Sequence, residues 1–160
     1  MRVLGLDPGL TGAYALLGDP PLVGDLPVHQ TQHGRSAKVR SELDLHSLHT
    51  LLADHVIAHC FIERVAARPG QGVTSVFRFG EAAGAVYGLL VGIGLPVTFA
   101  TPQQWQKHHG IGASPDAARQ RAVQLYPDLA PMLARKRDQH RADALLIAVY
   151  GSFVAGKDTL

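Results

Sequence analysis

A chain of 160 residues, 46% of them apolar, is long enough to enclose a hydrophobic core and carries no compositional mark of disorder. Fifteen Lys and Arg against thirteen Asp and Glu leave a formal charge of +2, so any affinity for nucleic acid must come from how charge is distributed rather than from its sum. The one cysteine, Cys60, excludes a disulfide framework, and no basic segment followed by an apolar stretch opens the chain, so a cytoplasmic location is expected.

The opening reads as a hairpin: Val3 to Asp7 is an apolar run closed by Pro8-Gly9, and Gly12 to Leu17 is a second. Leu22–Leu26, bracketed by prolines, reads as a short edge strand. Val28–Arg40 is polar and reads as a surface loop carrying Arg35, Lys38 and Arg40. Ser41-Glu42-Leu43-Asp44 then opens a helix in capping-box style, with Leu45, Leu48, Leu52 and Val56 at helical spacing. His46, His49, His55 and His59 scatter around that segment with no carboxylate partner, which points to no metal site there.

Cys60–Val65 is the next strand, followed by a loop through Arg68. Thr74–Val91 reads as a helix on which Gly80, Gly84 and Gly88 fall four apart, a flat face suited to close approach by another helix or by the sheet. The uncharged stretch Ala82–Gln106 is diluted by glycines and interrupted by Pro96, so it is read as a buried helix running into the strand Leu95–Ala100, with no role at a membrane. Thr101-Pro102-Gln103-Gln104 starts a short helix bearing Trp105 and Lys107, and Ser114-Pro115 starts another that ends at Tyr126-Pro127. The basic cluster Arg135-Lys136-Arg137 precedes a final helix of strong propensity that begins near His140 and Asp143. Hairpin, strand, helix, strand, helix, strand and helices together predict an α/β fold with a mixed sheet flanked by helices. One domain over residues 1–155 and a loosely held tail at 156–160 are expected.

Three acids stand in unusual company. Asp7 ends the first strand; it is either a plain turn residue facing water, as Asp-Pro-Gly commonly is, or a carboxylate facing a cation. Glu63 is embedded in an apolar strand and needs a partner, which a neighbouring arginine could also be. Asp143 heads an apolar helix with His140 three residues earlier on the same face. If these four converge, they repel one another unless a cation intervenes. An oxygen-rich set with one imidazole suits Mg²⁺ or Mn²⁺, and two such ions about 4 Å apart serve phosphodiester hydrolysis. Spacing alone does not supply the convergence.

The chain resembles RuvC-type Holliday-junction resolvases of the ribonuclease H-like superfamily over nearly its whole length. The resemblance is carried by Leu4-Gly5-Leu6-Asp7-Pro8-Gly9 with Thr11-Gly12, Phe61-Ile62-Glu63-Arg64-Val65 and Phe79-Gly80-Glu81-Ala82-Ala83-Gly84. Thr101–Lys107 and His140–Leu145 complete it. It implies a ribonuclease H-like fold with a five-stranded mixed sheet, a homodimer, and metal-dependent resolution of four-way DNA junctions by paired cuts. Asp7, Glu63 and Asp143 are then catalytic metal ligands holding two Mg²⁺ or Mn²⁺ ions, with His140 as the fourth ligand and Asp138 as a competing candidate. Lys107 matches a position from which it could contact the scissile phosphate. With the three acids occupied, 15 cations face 10 acids, and Arg64, Arg68, Arg78, Lys107, Arg135, Lys136, Arg137 and Arg141 become candidate DNA contacts. Phe77, Gly80, Gly84 and Tyr87 are read as part of the dimer contact, core packing being the alternative.

One departure stands out: some members carry an aromatic residue three positions after the strand Glu, and here that position is Ala66, so a wedge at the crossover would have to come from the Arg68–Thr74 loop or Phe77. The compact second strand-loop region is closer to phage-type relatives, for which the location would be the host cytoplasm, and a branch-migration partner is conceivable. Competing readings are a nuclease for RNA–DNA hybrids or other branched DNA, a non-catalytic junction binder, and a phosphate-binding domain of the actin and sugar-kinase type. The last leaves the contexts of Glu63 and Asp143 unexplained.

Overall fold

The computed structural model describes residues 2–32, 39–67, 70–112, 114 and 116–157. Its frame starts with β1 (Arg2–Asp7), which β2 (Ala13–Leu17) joins antiparallel in a register from Val3↔Leu17 to Asp7↔Ala13. The edge strand β3 (Leu22–Asp25) pairs with β2. On the other side of β1, the strands that follow helices run parallel: β6 (Ile57–Glu63), then β7 (Val97–Ala100). The order β3-β2-β1-β6-β7 is the expected five-stranded mixed sheet.

Between β3 and β6 lie a two-stranded ribbon, β4 (Val28–Thr31) with β5 (Arg40–Leu43), and helix α1 (Leu45–Ala53). The ribbon replaces two expectations. Part of the segment read as a surface loop is β4, whose polar sequence fits a ribbon exposed to solvent; His33, Arg35 and Lys38 lie outside the described residues. Ser41 does not start a helix, because β4 supplies a ladder partner for it at Gln30. Asp44 caps α1 instead, accepting from the backbone N–H of Ser47 at 2.9 Å. The helix stops at Ala53, so Val56 lies outside it and is exposed.

Two layers cover the sheet. Leu4 and Leu6 of β1 and Cys60 and Ile62 of β6 point to one face, where they pack with Leu48 and Leu52 of α1 and with Val86 and Leu90 of α2 (Val73–Gly92). The opposite face receives α5 (Gln139–Lys157), whose Ala142, Ala144, Leu145, Leu146, Ile147 and Ala148 have no exposed surface. A helix apolar on all sides fits only where neighbours enclose it. Here α3 (Pro102–His109), α4 (Ala117–Leu125) and a 3₁₀ turn at Pro127–Leu133 close over it. The buried His109 ties α3 to α5 by donating from Nε2 to the carbonyl of Leu146 at 2.8 Å.

Helix α5 passes through Gly151 and takes in residues 156 and 157 of the expected tail; residues 158–160 lie outside the described part. Gly80, Gly84 and Gly88 approach nothing within the described residues, since a Cβ added at any of them would meet no atom within 4 Å. No helix among the described residues is long and apolar enough to cross a membrane.

Candidate metal centre

Alternation along the strands decides which way the acids point. With Leu4 and Leu6 turned toward α1 and α2, Gly5 and Asp7 face α5; with Cys60 and Ile62 turned the same way, Phe61 and Glu63 also face α5. Leu6 pairs with Ile62, so Asp7 and Glu63 follow as neighbours at the open ends of two parallel strands.

Helix α5 delivers the rest by close contact. It lies so near β1 that a Cβ on Gly5 would sit 2.1 Å from the Ala144 carbonyl oxygen and 2.8 Å from the Ala148 Cβ. One on Gly151 would sit 2.1 Å from the Phe61 ring. Residues four apart share a helical stripe. The stripe of Ala148 and Ala144 over β1 therefore continues to His140 beside Asp7, and the stripe of Gly151 and Ile147 over β6 continues to Asp143. Gly5 and Gly151 set the depth at which the helix brings its polar first turn to the strand ends.

The resulting cluster is tight. His140 donates from Nδ1 to Asp7 Oδ2 at 2.6 Å, because an ionised carboxylate can only accept, which leaves Nε2 as the nitrogen a cation could take once its proton is lost. Asp7, His140 and Asp143 each offer a ligand atom within 4.8 Å of the others. Asp143 accepts from Gln139 Nε2 at 2.9 Å, and Glu63 accepts from the indole N–H of Trp105 at 3.0 Å. All four side chains line one cavity of about 560 Å³, with Thr11, Thr74, Arg78, Phe79 and Gln106 among its walls.

Charge in this cavity is unbalanced. Burial first, then the neighbouring charges of Asp7 and Glu63, push the Asp143 carboxyl up to about 7. The hydrogen bond to Asp7 holds the His140 ring above its ordinary value against the opposing effect of burial, with the charges of Asp7, Asp143 and Glu63 adding to the shift. Without a cation, protons on His140 and Asp143 offset the negative charge. Asp7, Asp143 and the His140 imidazole, with Glu63 on the same cavity wall, are a donor set that suits a hard divalent ion. Such an ion must displace those protons, so its affinity rises with pH.

Glu63 lines the cavity but is not part of the group whose ligand atoms lie within 4.8 Å of one another, and two further candidates fall outside the cavity. Asp138 is buried against Arg135, accepting from its backbone N–H at 2.8 Å and from its guanidinium at 2.8 Å, so the competing fourth ligand is an ion-pair partner instead. Lys107 is exposed and does not line the cavity; Trp105 and Gln106 of the same helix do, since Lys107 is rotated onwards from their face.

The remaining cations divide. Arg78 lines the cavity and donates to the carbonyl of Ser41 at 3.2 Å. Arg64 stacks over the Phe99 ring at 4.2 Å. Arg141 is taken up by Asp25 at 2.6 and 2.7 Å, and Arg135 by Asp138. Lys136 and Arg137 are exposed on a second 3₁₀ turn, Lys136–Asp138, directly ahead of α5. Arg68 lies outside the described residues. On α2, Phe77 is 70% and Tyr87 41% exposed, in line with Gly80 and Gly84 on an outward face. Ala66 is exposed beyond the end of β6, and the aromatic ring in the cavity wall is Phe79.

Trp105 and Phe79 also line the cavity, and neither is among the candidate site residues of the sequence. The signal for Trp105 was present: it falls one turn beyond a capped helix start directly after the strand beside Glu63.

The mixed sheet in this order, with helices over both faces, has the fold seen in RuvC. Two solved structures carry that likeness. The *T. thermophilus* RuvC in complex with Holliday junction substrate aligns at a TM-score of 0.60 and 20% identity, covering 99% of this chain and 97% of that one. The *Thermus thermophilus* RuvC structure aligns at 0.56 and 23%, covering 99% and 98%. In sequence, the chain is 33% identical over 97 residues to the chloroplastic Holliday junction resolvase MOC1 of *Chlamydomonas reinhardtii*. That match takes in 59% of this chain and 11% of that protein, so the chain spans about a tenth of its length. No protein-family profile matches the chain.

Proposed function

We propose that this chain is a divalent-metal-dependent endonuclease that resolves four-way DNA junctions by paired phosphodiester hydrolysis, working as a homodimer with two Mg²⁺ or Mn²⁺ ions in each site. The observation that carries the reading is the meeting of Asp7, Glu63, His140 and Asp143, distant in sequence, in one cavity of a RuvC-like fold. A solved RuvC is in complex with a Holliday junction substrate, and the sequence relative from *Chlamydomonas* bears the name of a junction resolvase; both support the choice of substrate.

The bound ions would supply a water of lowered pKa and neutralise charge on the leaving oxygen. The chain's own residues hold and align them. Asp7 is anchored by the His140 N–H, which fixes one oxygen and leaves the other to a cation. Glu63 and Asp143 are oriented by Trp105 and Gln139. Arg78 and Thr74 stand on the cavity wall, where a phosphate flanking the scissile bond would lie. Lys107, Lys136 and Arg137, exposed outside the cavity, suit contacts with the junction arms.

A four-way junction with two-fold symmetry calls for two identical sites, which an isologous dimer offers. The outward face of α2, with Phe77 and Tyr87 exposed beside Gly80 and Gly84, supports a helix-to-helix contact there. A cytoplasmic setting, or the host cytoplasm for a phage-borne chain, agrees with the single cysteine and a DNA substrate.

The test is incubation with a labelled synthetic four-way junction and, separately, an RNA–DNA hybrid of equal length, with and without Mn²⁺. Symmetric nicks across the crossover, dependent on Mn²⁺, are expected. Cleavage of the hybrid alone would move the assignment to a ribonuclease, and cleavage of neither would remove the catalytic reading.

A further inference from the structure

We infer that Trp105 is a positioning residue for Glu63: its buried indole N–H fixes one carboxylate oxygen and turns the other toward the cavity for a metal ion. The inference rests on the reading of Glu63 as a metal ligand. The geometry begins in the backbone. Glu63, the last residue of β6, pairs with Ala100, the last residue of β7. Helix α3 starts at once, its first turn locked by Thr101 and Gln104, each capping the other's backbone N–H, with Pro102 at the first helical position. One turn later Trp105 arrives beside Glu63 and donates from Nε1 to Oε1 at 3.0 Å.

Trp105 is only 2% exposed and belongs to the buried cluster between the sheet and α5. An indole N–H in such a place needs an acceptor, and it has no lone pair with which to compete for a cation. Glu63, by contrast, is a half-buried side chain on three rotatable bonds, and a fixed donor on one oxygen restricts how the other can be presented. Asp7 and Asp143 have their own fixed donors in His140 and Gln139. Trp105 does for Glu63 what those residues do for the other two acids.

The chain contains one tryptophan, so biosynthetic replacement of tryptophan by benzothienylalanine changes this position alone. That side chain keeps the shape of the indole and puts sulfur where the N–H was. Three quantities are read on the full chain: the metal-free melting temperature, the calorimetric Mn²⁺ affinity, and the half-saturating Mn²⁺ for junction cleavage. The expected result is a melting temperature close to that of the unmodified protein, Mn²⁺ affinity weaker by about 10-fold or more, and half-saturation shifted in step, as for loss of an outer-shell partner of a metal ligand. Trp105→Phe should show the same loss of affinity together with some loss of stability. An analogue that binds Mn²⁺ within about twofold of the unmodified protein overturns the positioning role and leaves the nuclease reading standing. An unmodified protein that binds no Mn²⁺ overturns both.

Discussion

Two groups of acids gather around the start of α5, Asp138 with Asp25 and Asp143 with Asp7, and the chain treats them in opposite ways. Asp138 and Asp25 are each met by an arginine: Arg135 grips Asp138, and Arg141 forks onto Asp25 while lying 3.7 Å from Asp138. Their carboxyls are held below the ordinary range, chiefly by those hydrogen bonds. Asp7 is met by His140 and Asp143 by Gln139, while Arg78 on the wall of their cavity donates to the carbonyl of Ser41. Burial and like charge instead push Asp143 up to about 7. Acids whose charge the fold itself balances serve to fasten β3 and the 3₁₀ turn to α5. Acids in a cavity that no arginine meets among the described residues form a candidate cation site.

The sharpest way to break this contrast is to neutralise one acid of each kind. Asp7→Asn should abolish junction cleavage while binding of the junction in Ca²⁺ persists, as measured by gel shift. Asp138→Asn should leave cleavage intact and lower the melting temperature by several degrees, since it strips a buried acid from its arginine partner. If both variants lose cleavage alike, the division between fastening acids and functional acids fails.

The pH dependence of stability separates the same two groups. For Asp143 the folded value near 7 exceeds the unfolded value near 3.8, so metal-free stability declines as pH rises between them. For His140 the folded value also lies above the ordinary one, so its contribution is full below about 6.5 and is lost as pH rises through the folded value. Both act in one direction: metal-free protein should melt progressively lower from about pH 4 toward neutrality and just beyond. Asp143→Asn should flatten that slope and melt higher than the unmodified chain at pH 8. Saturating Mn²⁺ should cancel the slope in the unmodified chain, ion at about 100 times its dissociation constant adding about 2.7 kcal/mol. A metal-free melting temperature that rises over the same range would contradict the unbalanced-acid reading.

How much of this contrast could be read from residues alone is uneven. Asp7, Glu63 and Asp143 stood out because each interrupts or ends an apolar run, and strand alternation with helical spacing is enough to turn them to one side. Spacing puts His140 ahead of Asp138, but the reason Asp138 is taken is not in the sequence, because it depends on where Arg135 and Arg141 go, and Arg141 finds Asp25 at 116 positions' distance. The β4–β5 ribbon was missed for a local reason: β4 is Val-His-Gln-Thr, with a single apolar residue to signal alternation. The cap at Asp44 was misassigned to Ser41 because serine and aspartate both satisfy the capping pattern, and only the strand partner at Gln30 decides between them.

Smaller effects test the periphery. Gly84→Glu adds a charge on the open face of α2 where a Cβ meets nothing, so the monomer should fold normally while sedimentation shows the proposed dimer lost. A dimer that persists would move the interface elsewhere. Lys107→Ala should leave cleavage at saturating metal unchanged and reduce the salt slope of junction binding by about one unit, the mark of one phosphate contact outside the cavity.

Anomalous scattering from crystals equilibrated with Mn²⁺ tests the central claim most directly. The account predicts a strong peak enclosed by Asp7, Glu63, His140 and Asp143, and none at Asp25 and Asp138. A site without manganese at concentrations that support cleavage, or manganese held instead by the arginine-paired acids, would contradict it.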